Sequence, residues 1–306
     1  MRVEFVRSIK EVLTTRKNTV FVTGDLGFNA FESLQNEFGK RFLNAGVAEQ
    51  NMIGVAAGMA IAGAVPWVYS IAPFAVYRPF EQIRNDVCLH GLPVHVVGNG
   101  GGFTYGVMGS THHALEDLGI LKTLPNMSLF FPCSNNHVAA SVKATDAVHG
   151  PTYLRLSISG FQNDVAPIRE NAATLTRTYV TSSAPRVTII AAGHAAQIAI
   201  EAHATRTLRD AELFGVARFP FDLAADDELR ASVTRTKRVI FIEEHYADGG
   251  MGESFRAAWG DGIDNFRLLA VRYSAQQRYG SAAFHLGQAG LTPEAIVAMA
   301  REVSGT

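Results

Sequence analysis

The 306-residue chain has only two cysteines, Cys88 and Cys133. Two thiols build neither a disulfide framework nor a cysteine-rich metal site. Both lie among apolar residues and are expected to be buried. Charge is also scarce. Only 18% of the residues are charged, against an ordinary share of about 25%. The signs balance to a net charge of −1, so there is no basic excess to attract nucleic acid or an anionic membrane. No Gly-x-Gly-x-x-Gly and no Walker-type loop is present, which argues against a self-contained nucleotide site. The longest apolar tract, Met52 to Tyr69, is mostly Ala and Gly with Pro66 inside it. A buried helix followed by a strand explains it better than a membrane span. The opening Met1-Arg-Val-Glu-Phe-Val-Arg is too polar for a signal peptide, so the cytoplasm is the default. Short repeats and low-complexity tracts are lacking as well.

What is present reads as two α/β domains. The length suits two domains, and 47% of the residues are hydrophobic. Low charge with many Ala and Gly fits a chain that buries a subunit contact as well as a core. Apolar residues at helical spacing predict a helix over 2–17. Short β-branched or apolar runs predict strands at 18–24, 41–45, 65–70, 94–99, 128–132 and 151–156. An amphipathic helix is predicted over 80–88. Strands alternating with helices imply a mostly parallel, doubly wound sheet. Residues 166–185 are polar and rich in Thr and Ser and read as a linker, with a strand or two allowed. A second unit of the same class begins at Arg186, with strands at 186–193, 214–219, 238–245 and 266–271. Thr292-Pro293 opens its last helix, as an N-cap followed by Pro. The expected division is therefore 1–165, a linker at 166–185, and 186–306.

One stretch organises the rest: Asn44-Ala-Gly-Val-Ala-Glu-Gln-Asn-Met, continuing to Gly63. It places a single carboxylate, Glu49, at the front of a small-residue apolar helix. The residues alone allow two readings. Acids favour the first turn of a helix. A buried acid also needs a partner, and a ligand nitrogen would serve. Phe74, Tyr77 and Phe80 are spaced by three, as a helical core stripe or as an aromatic wall. The triplet Gly100-Gly-Gly102 is either a flexible loop or a place where a ligand meets backbone. The pair His112-His113 either helps to start a helix or supplies a proton carrier at neutral pH.

The segment Gly46-Val-Ala-Glu-Gln-Asn-Met resembles the Gly-x-x-Glu motif of the pyrimidine-binding domain of transketolase-family thiamine diphosphate enzymes. Phe74-Ala-Val-Tyr-Arg-Pro-Phe resembles the family's Phe-x-x-Phe-x-x-Tyr element. Gly109-Ser-Thr-His-His-Ala-Leu-Glu-Asp-Leu resembles its Gly-x-Thr-His segment. Glu243-Glu-His-Tyr-Ala-Asp-Gly-Gly-Met-Gly is similar to a segment of its C-terminal domain. The resemblance implies a pyrimidine-binding fold followed by a transketolase C-terminal-like domain. It implies that Glu49 bonds N1′ of the aminopyrimidine from a dry site that lets the carboxyl hold a proton. Phe74 and Tyr77 then line the ring, Phe80 stays open, and Asp25 joins the cofactor residues. His112 faces substrate as proton carrier or hydrogen-bond donor, with His113, Met108 and Asn29 beside it. His245 gets no catalytic role.

Three departures bear on the substrate. Met108 stands where the family has an Asp that reads a sugar hydroxyl. Gly100 aligns with a phosphate-binding His and Ile158 with a phosphate-binding Arg. Arg155 is three residues away and, on a strand, points to the other face. The expected acceptor is therefore an unusual or non-phosphorylated sugar or keto compound. The family's Gly-Asp-Gly…Asn motif for Mg²⁺ is not found. A separate N-terminal diphosphate-binding subunit is then expected to hold Mg²⁺ or Ca²⁺ and to complete an α2β2 transferase of ketol or acyl units. Two alternatives stand beside this reading. One is the β subunit of a 2-oxo-acid dehydrogenase E1 component, which shares the Glu motif but not the Thr-His-His segment. The other is a non-catalytic partner-binding subunit.

Overall fold

The computed structural model describes residues 1–27, 30–157, 164–204, 208, 210–273 and 279–305. The chain forms two compact units. The first comprises Met1–Thr104, Thr111–Phe130 and Asn135–Ile158; the second takes Tyr105–Ser110, Phe131–Ser134 and Ser159–Thr306.

Six strands of the first unit are β1 Thr19–Thr23, β2 Phe42–Asn44, β3 Val65–Ile71, β4 His95–Asn99, β5 Ser128–Phe130 and β6 Thr152–Leu156. Their spatial order is β5-β6-β4-β3-β1-β2, and every pairing is parallel. The helices are α1 Arg2–Thr15, α2 Glu32–Phe38, α3 Glu49–Ile61, α4 Ala72–Val76, the single turn α5 Phe80–Gln82, α6 Asp117–Leu121 and α7 Val138–Asp146. Helices α1 and α3 pack on β1, α4 on β3 and β4, and α7 on β6. Buried parallel strands need apolar residues toward both faces, and β4 and β6 are buried throughout. The predicted amphipathic helix over 80–88 is instead one α-turn followed by a π-helix at Ile83–Cys88. Apolar spacing alone does not distinguish the two, because a π-turn needs only one extra residue per turn. Both cysteines are buried, and burial pushes each thiol up to about 12.

His95 lies in this core, its Nδ1 2.8 Å from Thr152 Oγ1 and its ring 4.7 Å from that of Trp67. Burial first, then the nearby Arg16 charge, pushes its pKa down to about 3. The unfolded chain takes up this proton below about pH 6.5, whereas the folded chain resists it to about 3. Stability present at neutral pH is therefore lost as the pH falls through 6.5. At pH 5 the loss from this one group is about 2 kcal/mol. Denaturant unfolding at pH 7 and pH 5 measures it, and His95→Asn is expected to remove this part of the slope.

The second unit holds a six-stranded sheet in the order 265–271, 238–246, 187–192, 211–216, 176–180, 169–171. The first four strands are parallel, and the last two join antiparallel. Two of these strands, Arg169–Asn171 and Thr176–Val180, fall inside the stretch 166–185 that reads as a linker. These are the strand or two that the stretch allows, and they join the second sheet. Thr176–Val180 is buried along its whole length and pairs with Ala211–Val216. Its threonines are β-formers whose hydroxyls find partners, so a polar composition conceals a core strand.

The Glu-Glu-His…Gly-Gly-Met-Gly segment has a structural explanation. Buried Glu243 accepts hydrogen bonds from Met251 N at 2.6 Å and Gly252 N at 3.1 Å, at the start of helix Met251–Trp259. A Cβ at Gly250 would collide with that carboxylate. The charge offsets the helix N-terminus and satisfies its free donors. His245 is buried, with Nδ1 2.8 Å from Tyr246 O. Glu243→Ala is expected to lower stability by about 2–4 kcal/mol, read from a denaturant melt.

Candidate cofactor-ring site

The site begins where β1 and β2 end. Asp25 follows β1 with a left-handed φ of 53°. The Asn44 amide donates to Asp25 Oδ1 at 2.8 Å, and its oxygen accepts from Asp25 N at 3.1 Å and Gly46 N at 2.9 Å. Asn44 thus ties both strand ends to the turn that leads into α3. Gly46, at φ 74°, makes that turn, and Glu49 is the first residue of the helix. This is the carboxyl end of a parallel sheet, where ligands of open α/β folds collect.

The Glu49 side chain is 3% exposed. Ser70 Oγ on β3 lies 3.5 Å from one carboxylate oxygen, and Arg78 Nη1 lies 2.9 Å from the other. Glu49 is thus buried and ion-paired with Arg78. A buried carboxylate is costly alone, and a guanidinium compensates it. The same guanidinium lies over the Phe74 ring, 4.0 Å from its centroid. The His112 ring meets Phe74 edge-on at 5.1 Å. Glu49, Arg78, Phe74 and His112 therefore form one chain of contacts. A cavity of about 540 Å³ opens beside it, lined by Val47, Ala48, Glu49, Gln50, Asn51 and Arg78.

A network of polar contacts, buried around Asp117, follows the His112 segment in the chain. Tyr77 donates its hydroxyl to Glu116 Oε2 at 2.7 Å and accepts from Glu116 N at 3.3 Å. Burial, then the Asp117 and Glu116 charges, raises the Tyr77 pKa far above the usual phenol value, so the hydroxyl stays protonated. Asp117 is fully buried; it accepts from the Tyr153 hydroxyl at 2.7 Å and pairs with Arg155 Nε at 3.1 Å. Arg155 also donates to Ala114 O at 2.6 Å. Gly101 has no side chain because a Cβ there would strike Arg155. This gives the glycine triplet a packing reason.

Of the residues singled out from the sequence, Glu49, Phe74 and His112 come together. Tyr77 points its hydroxyl at Glu116 and braces the His segment. The His113 ring packs edge-on against Phe103 at 5.1 Å. Phe80 is half-buried at the start of α5. Asp25 is bound to Asn44 at the strand ends. Met108 is 53% exposed, on the short turn Gly106–Met108 that clusters with the second unit. Asn29 and Ile158 lie outside the described residues. Sequence reasoning missed Arg78, Asn44, Asp117 and Arg155 as parts of a site. The available signal for Arg78 was that it is the only charge between Ile71 and Phe80.

The site thus joins an acid at the first turn of a helix, at the carboxyl end of a parallel sheet, through Arg78 to an aromatic ring and a histidine. Among the described residues, no group of three or more His, Cys, Asp or Glu could hold a metal. No helix is long and apolar enough to cross a membrane among those residues.

Comparison with known proteins identifies the family. Residues 1–160 match the family described as transketolase, pyrimidine binding domain, and residues 177–296 match the transketolase C-terminal domain. The chain belongs to the transketolase family. It is 30% identical to an apulose-4-phosphate transketolase subunit of Phocaeicola vulgatus, over 82% of this chain and 80% of that protein. It is 31% identical to the 6-deoxy-6-sulfo-D-fructose transketolase subunit SqwH of Clostridium sp. strain MSTE9, over 86% and 81%. A solved split-gene transketolase, described as an inactive β4 tetramer, superposes with a TM-score of 0.85 at 28% identity. That match covers 99% of this chain and 98% of the other.

Proposed function

We propose that this chain is the pyrimidine-binding subunit of a thiamine diphosphate-dependent transferase that moves a two-carbon ketol or acyl unit to an aldehyde or ketone. The observation that carries it is Glu49, buried yet lining an open cavity, and joined through Arg78 to Phe74 and His112. When bound, thiamine diphosphate supplies an acidic thiazolium carbon and an aminopyrimidine that serves as internal base. Glu49 exchanges a proton with the ring nitrogen N1′. Phe74 offers the aromatic face. His112, half-buried against that face, is positioned to donate to substrate oxygens or carry a proton.

The diphosphate and its Mg²⁺ or Ca²⁺ belong, in this reading, to a separate subunit, in an α2β2 complex. Three observations support it: two relatives bear subunit names, a solved neighbour is a split-gene chain, and the outward side of α3 is apolar. Val55 and Ile61 are exposed there, Val47 is exposed just ahead of the helix, and Gly54 and Gly58 leave open space for a close approach. An unusual or non-phosphorylated acceptor is supported by Gly100 and by Arg155, whose guanidinium is committed to Asp117 and Ala114. The test is reconstitution with the diphosphate-binding subunit, Mg²⁺ and thiamine diphosphate. The pair is expected to turn over and this chain alone is not. Robust activity of the chain alone refutes the split. Strong preference for erythrose or ribose phosphate refutes the acceptor reading.

A further inference from the structure

The geometry points to Arg78 as a gate on the ring-binding site: its guanidinium holds the place of the aminopyrimidine and must swing away before that ring binds. This rests on the reading that Glu49 receives the ring. The guanidinium is a flat cation with two contacts, a hydrogen bond to Glu49 Oε2 at 2.9 Å and a face-on approach to Phe74 at 4.0 Å. A flat ring bonded to Glu49 and stacked on Phe74 needs those same two contacts. Two planar groups cannot share one aromatic face at van der Waals distance. The second carboxylate oxygen offers no alternative seat, because it faces Ser70 on buried β3. Arg78 and the ring are therefore mutually exclusive.

The arginine is also built to leave. Its side chain is 46% exposed, whereas that of Glu49 is 3% exposed. It sits in the turn after α4, outside any helix, where its backbone is free of ladder bonds. Its long stem reaches water by rotating about its own bonds. Among the described residues its hydrogen-bond and ion-pair partner is Glu49 alone. In the closed arrangement the gate compensates a buried acid that would otherwise be costly. In the open one the ring nitrogen takes over that duty. Closure lowers apparent affinity by the fraction of time the site is open. A gate closed for about nine-tenths of the time weakens binding about ten-fold.

The experiment titrates thiamine diphosphate into the reconstituted complex carrying wild-type chain, Arg78→Ala or Arg78→Lys, read by calorimetry and near-ultraviolet circular dichroism. Arg78→Ala is expected to bind about ten-fold more tightly. Arg78→Lys keeps the charge without the flat stack and is expected to fall between. Unchanged or weaker binding by Arg78→Ala overturns the gate, the latter by showing that Arg78 belongs to the bound site. If the wild-type complex takes up no thiamine diphosphate, the functional reading itself fails, and the gate with it. A second measurement uses this chain alone: Arg78→Ala is expected to melt at lower temperature, because Glu49 loses its partner. An unchanged melt overturns the pairing on which the gate depends.

Discussion

Glu49→Gln is expected to lower kcat of the reconstituted enzyme about 10³-fold, within the range for losing a positioned acid–base group. The amide matches the carboxylate in shape and accepts a hydrogen bond from Ser70, so packing at the start of α3 is preserved. What it cannot do is pass a proton to and from a ring nitrogen. The fold is expected to survive, because the lost partner, Arg78, is half-exposed and finds water instead. Far-ultraviolet circular dichroism and the melting temperature check that point. Glu49→Asp gives a second arm. It keeps the charge but withdraws it by one methylene, about 1 Å, a misplacement able to cost about 10²-fold. A fully active Gln variant would remove Glu49 from the chemistry.

The largest stability effect is expected at Asp117. It is fully buried, and its partner Arg155 is nearly so. Removing one member of a buried ion pair leaves the other charge uncompensated, at a cost of about 3–5 kcal/mol. Asp117→Ala is therefore expected to shift the denaturant midpoint strongly downward. The double variant Asp117→Leu with Arg155→Met is expected to recover much of the loss, since apolar residues of similar volume replace buried pairs well. The single variant should also touch function. Asp117 is adjacent to Glu116, which Tyr77 holds, and the segment carries His112. Loosening it is expected to raise KM or lower kcat in the protein that remains folded. A double variant no more stable than Asp117→Ala would show that the site depends on polar contacts beyond this pair.

Much of this was legible in the chain. The alternation of short apolar runs with helical spacing pointed to the α/β class, because strand and helix periods are local properties of sequence. Glu49 stood out as one acid at the head of an Ala- and Gly-rich helix, and the Thr-His-His segment stood out by its residues. The threonine-rich strand Thr176–Val180 was concealed because its partner, Ala211–Val216, lies about thirty residues away and sheet membership depends on pairing, not composition.

The sequence by itself determined most of the strands and helices of the first unit, and which acid and which histidine to single out. Only the tertiary structure decided what each side chain faces: Arg78 on Glu49 and Phe74, Asp117 on Arg155, Tyr77 on Glu116. The physical reason is distance along the chain. Periodicity is set by neighbours three or four residues apart. A charge finds its partner through space, and these partners are brought within about 3 Å only when parallel strands and their crossovers close on one another.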